Sequence, residues 1–178
     1  MTGYRTPARL FHWIVALLVL ATIPAGQIMI QDGLSRPVQN ALFIFHKNVG
    51  VVILLVVLAR LAYRQVVPPP PLPLSVPEWQ RRVAGLNHAA LYGLLIFMAV
   101  TGYLRVRAGG FPVEALDALG LPPLVPRSEP LEAWAKAAHW WGRIALVAVI
   151  ALHLLAAAWH GLVRRDGVMA RIWPPVAR

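Results

Sequence analysis

The sequence predicts an all-α integral membrane protein, a four-helix transmembrane bundle with both termini cytoplasmic and a single domain over residues 1–178. Three observations predict this. The chain is 58% hydrophobic and only 13% charged, with a mean hydropathy of +0.62, which is too apolar for an ordinary soluble domain. Four stretches, about residues 10–30, 41–63, 83–105 and 137–163, match the roughly 20 residues a helix needs to cross a ~30 Å hydrocarbon layer. The loops between them share their basic residues unequally.

The first span contains no Asp, Glu, Lys or Arg. Arg5 and Arg9 precede it, as in a signal peptide, but the run is long for one and no small-x-small cleavage site follows, so it is expected to stay in the bundle. The second span carries Lys47 near one end and Arg60 near the other, where long basic side chains snorkel to headgroups or meet a buried anion. A proline-rich segment over residues 65–77, with Pro68, Pro69, Pro70 and Pro71 in a row, stops that helix and favours an extended linker. The third span is again free of those charges from Val83 to Leu104. Residues 108–130 are punctuated by Gly109, Gly110, Pro112, Pro122, Pro123, Pro126 and Pro130 and read as an outer loop with a short amphipathic turn near 113–119. The fourth span follows, and no internal repeat is visible.

With both termini on one side, that side holds ten basic residues (Arg5, Arg9, Arg60, Arg64, Arg81, Arg82, Arg164, Arg165, Arg171 and Arg178) against two acids. The opposite side holds seven (Arg36, Lys47, Arg105, Arg107, Arg127, Lys136 and Arg143) against five acids. The positive-inside rule therefore places the termini in the cytoplasm. The formal charge of +10 then needs no nucleic acid to explain it. Cysteine is absent, which excludes disulfides, cysteine-ligated clusters and covalent C-x-x-C-H haem attachment.

Histidine carries the chemistry. His12 lies near the inner end of the first span, His46 near the outer end of the second, and His139 and His153 stand fourteen residues apart on the fourth. Fourteen residues make about four turns, so the last two share a face about 21 Å apart. Matching depths gives an outer pair, His46 with His139, and an inner pair, His12 with His153. Imidazoles on two helices suit six-coordinate haem iron that moves single electrons. Each histidine taken alone is more often an interfacial polar residue than a ligand, but two depth-matched pairs point to function. His88 is an alternative inner partner, and His160, seven residues after His153, suits a quinone or proton site or a headgroup contact.

Neighbours add to this. Gly50 lies one turn after His46, where a missing side chain lets a flat macrocycle approach. Arg60, fourteen residues after His46, and Arg143, one turn after His139, are each placed either to pair with haem propionates or to snorkel. Trp13, Trp79, Trp134, Trp140, Trp141 and Trp159 read as interfacial belts.

The opening R-L-F-H-W, the run H-K-N-V-G-V-V-I-L-L-V-V-L-A-R-L-A-Y-R (46–64), the stretch W-Q-R-R-V-A-G-L-N-H-A-A-L-Y (79–92) and the ending R-R-D-G-V-M-A-R-I-W-P resemble the bacterial cytochrome b561 family across essentially the whole chain. The resemblance implies a bacterial inner-membrane protein with two non-covalent haem b groups. It also implies His12, His46, His139 and His153 as axial ligands, so His12 is preferred over His88. Members of that family include oxidoreductases that pass an electron from periplasmic superoxide to ubiquinone, which is the expectation here. Related cytochrome b subunits link a periplasmic dehydrogenase or hydrogenase to quinone, and this is the alternative. A haem-free membrane scaffold is the third possibility. For the first reading, Lys47, Arg105, Arg107, Lys136 and Arg143 are candidate cations to steer a small anion.

Overall fold

A computed structural model describes residues 3–176; Arg178, counted above among the inner basic residues, lies outside them. The described residues form helices and no strand. Four helices are long and apolar enough to cross a membrane: α1 (Thr6–Ile28), α2 (Arg36–Val66), α3 (Glu78–Ala108) and the last, which follows a short helix α4 (Glu114–Ala118). That last helix, α5 (Glu129–Ala158), runs on into a π turn over Trp159–Arg164.

All four of these helices start earlier than hydropathy suggests, because their first turns are polar, and in three of them proline sets the turn. Pro7, Pro37 and Pro130 occupy the first turns of α1, α2 and α5, where the missing N–H costs nothing and φ is already helical. Ser128 caps α5 by accepting from the Leu131 N–H. The π turn ends where Arg165 and Gly167 adopt left-handed conformations (φ 48° and 80°), which reverses the chain.

The helices pair as two hairpins, α1 with α2 and α3 with α5, joined along α2 and α3. The core is Val15 and Val19 of α1 against Ile53 and Val57 of α2, flanked by Leu95, Ile96 and Ile150. Large apolar side chains on the outer faces are bare, Leu17 at 65%, Leu55 at 61% and Leu155 at 69% exposure. Acyl chains satisfy these as well as a core would. The backbone of α5 follows α3 and stands off from α1 and α2. The space between the hairpins is bridged by side chains, histidines among them.

The two termini meet at one end. The Tyr4 amide donates to the Arg171 carbonyl (3.0 Å), Arg9 donates to the carbonyls of Tyr4 (2.7 Å) and Pro174 (3.0 Å), and Arg171 donates to Pro70 of the proline segment. Trp13 differs from the belt expectation. Its indole N–H donates to Ile172 (3.1 Å) and its ring meets Trp173 edge-on, so it tethers the C-terminal tail to α1.

Candidate metal centres

At the end opposite the termini, His46 of α2 faces His139 of α5 with ring centroids 6.2 Å apart and planes at 79°. Each ring is held through Nδ1. His46 Nδ1 lies 3.0 Å from the Thr22 carbonyl of α1, an acceptor only, so the proton belongs on Nδ1. His139 Nδ1 lies 3.2 Å from Thr101 Oγ1 of α3, whose own hydrogen goes to the Phe97 carbonyl (2.7 Å), leaving a lone pair for the imidazole N–H. Both Nε2 atoms are therefore left with a free lone pair. Metal-binding histidines characteristically donate their second nitrogen in this way, which fixes tautomer and ring plane.

Two glycines make room for the rings. A Cβ on Gly26 would sit 2.6 Å from His46 Cε1, and one on Gly102 would sit 3.1 Å from His139 Cε1. Gly50 opens onto the same cavity, which His46, His139, Met98, Gly102 and Val113 help to line, and a Cβ there would meet nothing within 4 Å.

Above this pair the outer loop is clasped down. Lys47 Nζ donates to Glu114 (2.6 Å) and to the Pro112 carbonyl (2.7 Å), and Asn48 bonds Glu114 (3.1 Å) and the Ala115 amide (2.9 Å). Arg107 forms a two-pronged ion pair with Asp117. Val113, 2% exposed, is pressed inward. Lys47 and Arg107, expected as steering cations, are thus committed to carboxylates. Arg105 lies near enough to both outer histidines to act on them electrostatically, and it has no acidic partner within 4 Å among the described residues.

Burial of Glu114 raises its carboxyl pKa, but hydrogen bonds from Lys47 and its neighbours outweigh this and leave it below the ordinary carboxylate value. Asp117 is lowered as well, chiefly by hydrogen bonds from Arg107. A depressed pKa means the clasp contributes fully above the ordinary carboxylate range and is lost as pH falls through the lowered values. Amide-exchange protection over residues 113–118, corrected for intrinsic rates, will therefore persist through the ordinary carboxylate range and fail only in stronger acid. Loss at or above that range would contradict the clasp.

At the other end, His12 of α1 and His153 of α5 have ring centroids 6.2 Å apart and planes at 59°, and His88 of α3 stands 5.5 Å from His153. Arg60 Nη1 lies 3.3 Å from His12 Nδ1. Both of the matched pairs are brought together, with His88 as a third ring. Arg143 donates to Gln27 and stacks over Trp140 at 4.1 Å. His160, in the π turn, has Nδ1 2.6 Å from Asp166 Oδ2 and is largely covered.

A family model described as prokaryotic cytochrome b561 matches residues 3–175. The chain belongs to the prokaryotic cytochrome b561 family. Cytochrome b561 homolog 2 of Escherichia coli (strain K12) is 28% identical over 91% of this chain and 86% of its own. Cytochrome b561 homolog 1 of the same organism is 26% identical over 92% of each. A probable superoxide oxidase CybB of Yersinia pestis is 29% identical over 92% and 91%. With its four membrane-length helices, the chain is a multi-pass bacterial inner-membrane protein of electron transport, and haem b is the cofactor of its family.

The residues fit such a group. With a metal–imidazole bond of about 2 Å and a ring radius of about 1.2 Å, two rings in line through one metal would stand roughly 6.3 Å apart. Both matched pairs stand at 6.2 Å, whereas His88 and His153 are closer. Sequence reasoning missed Thr22, Gly26, Thr101 and Gly102. The adjacent Thr101 and Gly102 were the available signal, a small polar pair inside an apolar span where close helix contacts form.

Proposed function

We propose that this protein carries electrons across the membrane between two haem b groups, His46 and His139 holding the outer and His12 and His153 the inner. The periplasmic face receives the electron and the cytoplasmic end, where the termini gather, delivers it to ubiquinone. The observation that carries this is the equal 6.2 Å spacing of both ring pairs at opposite ends of one bundle. Bound haem supplies one-electron redox chemistry, and the protein supplies the rest. Thr22 and Thr101 hold the outer imidazoles with Nε2 free. At the inner pair, a guanidinium only donates, so its contact with His12 Nδ1 puts that proton on Nε2. To hold a haem through Nε2, His12 would carry its proton on Nδ1, and Arg60 would be free to pair with a haem propionate. Arg143 is the corresponding cation near the outer pair, and Gly50 gives the macrocycle an open face.

Superoxide is the donor we favour; it leaves as dioxygen after giving up one electron. Support comes from the relative described as a probable superoxide oxidase and from Arg105 beside the outer histidines. His88 and His160 we place at the quinone or its proton, the His160–Asp166 contact offering a proton path. A second reading, a cytochrome b subunit serving a periplasmic dehydrogenase or hydrogenase, draws on the bare Phe111, Leu119, Leu121 and Leu124 of the outer loop, which suit a protein partner.

The test is a reduced-minus-oxidised visible spectrum, followed by mixing with superoxide and a ubiquinone analogue. Two b-type haems per chain, reduced by superoxide and reoxidised by the quinone, are expected. A spectrum without b-type bands would end the haem reading and leave a membrane scaffold. Haems inert to superoxide but reduced by a co-purifying dehydrogenase would select the subunit reading.

Thr101 provides a finer check. Valine removes the acceptor for His139, weakening that imidazole as a donor to iron and raising the potential of one haem, while serine restores it. Redox titration of the three proteins reads this directly; superimposable titrations would contradict the assignment.

A further inference from the structure

Tyr92 lies on α3 one turn after His88, so the two side chains share a face. Its hydroxyl is buried and has no hydrogen-bond partner among the described residues. A buried, unsatisfied hydroxyl costs about 1–3 kcal/mol, so its placement calls for a partner. Two guanidinium groups flank the same ring, Arg60 at 5.4 Å and Arg64 at 5.9 Å from its centroid. Neither arginine has a carboxylate within 4 Å among the described residues. Two half-buried cations and one phenolic donor thus converge beside the inner histidines with no acid among the described residues to answer them.

We propose that Tyr92, Arg60 and Arg64 form a carboxylate-binding site at the inner end of the bundle, and that its ligand is a propionate of the inner haem. The proposal rests on the inner-haem reading above. A carboxylate fits because it accepts up to four hydrogen bonds, can take a guanidinium edge two-pronged, and satisfies the phenol as well. A neutral quinone carbonyl would leave both positive charges uncompensated. The placement is also coupled to ligation, since a propionate beside Tyr92 gives Arg60 the acceptor it needs to leave His12 Nδ1.

The experiment uses the full-length His46→Ala protein, which on the proposed pairing keeps the inner haem alone, and follows haem transfer to excess apomyoglobin. Adding Tyr92→Phe is expected to speed release about tenfold or more. Arg64→Gln is expected to do the same, and the double variant to release haem more slowly than the product of the two effects requires, because both act on one carboxylate. In the complementary His12→Ala background, where only the outer haem remains, both substitutions should leave release unchanged. Unchanged release in the His46→Ala background, or equal acceleration in both backgrounds, would overturn the site. If Tyr92→Phe fails to accumulate, Arg64→Gln decides alone by the same two comparisons. A His46→Ala protein holding no haem, or two, would instead refute the inner-haem reading itself.

Discussion

Alanine at His139 will halve the haem content of the purified protein, from two groups per chain to one, and the surviving haem will keep its spectrum. The expectation follows from the separation of the two centres, about 21 Å along α5, with no histidine in common. Removing one imidazole would leave the group with a single protein ligand, too weak a hold to keep a non-covalent haem through purification. His46→Ala will give the same product, and His12→Ala and His153→Ala the complementary one. His88→Ala will retain both haems, because its ring stands 5.5 Å from His153, away from the 6.2 Å spacing that His12 shares with the outer pair. Haem per protein, from pyridine haemochrome absorbance against amino-acid analysis, reads each case. Retention of both groups in His139→Ala, or loss of one in His88→Ala, would overturn the pairing.

Valine at Gly26 will remove the outer haem as completely as alanine at His46. Even the first atom of a side chain at Gly26 falls 2.6 Å from His46 Cε1 and 2.8 Å from Nδ1, whereas ordinary contact begins at 3.4 Å. The ring must move by several tenths of an ångström, and its hydrogen bond to Thr22 leaves little freedom to do so. Metal–ligand distances tolerate only about 0.2 Å. Gly85, whose Cβ would meet nothing within 4 Å, is the control, and Gly85→Ala will keep both haems. Gly50→Ala is more informative, because it too would touch no atom of the chain. Weaker outer haem in that variant therefore reports the macrocycle itself lying against Gly50. Gly26→Val with a full complement of haem would show that the outer ring pair does not hold one.

Composition made the membrane legible, and residue spacing made the histidine pairs legible. An apolar run of about 20 residues has few other uses, and a fourteen-residue interval puts His139 and His153 on one face whatever surrounds them. The short helix in the outer loop was readable too, from its amphipathic turn between glycine and proline. Its clasps were not. Lys47 and Arg107 look like free cations in the sequence, and only folding brings Glu114 and Asp117 to them. Tyr92 was readable only as an aromatic residue in a span, since an orphaned hydroxyl is a property of its surroundings.

The sequence by itself determined a four-span membrane helix protein, its likeness to the cytochrome b561 family and the depth of each histidine, because these depend on spacing along single helices. Tertiary structure alone decided which groups support them: the Thr22 carbonyl of α1 behind His46, the Thr101 hydroxyl of α3 behind His139, and the glycines that admit both rings. These contacts join helices far apart in the chain. Their geometry is set by how one helix packs against another, which no periodicity within a single span encodes.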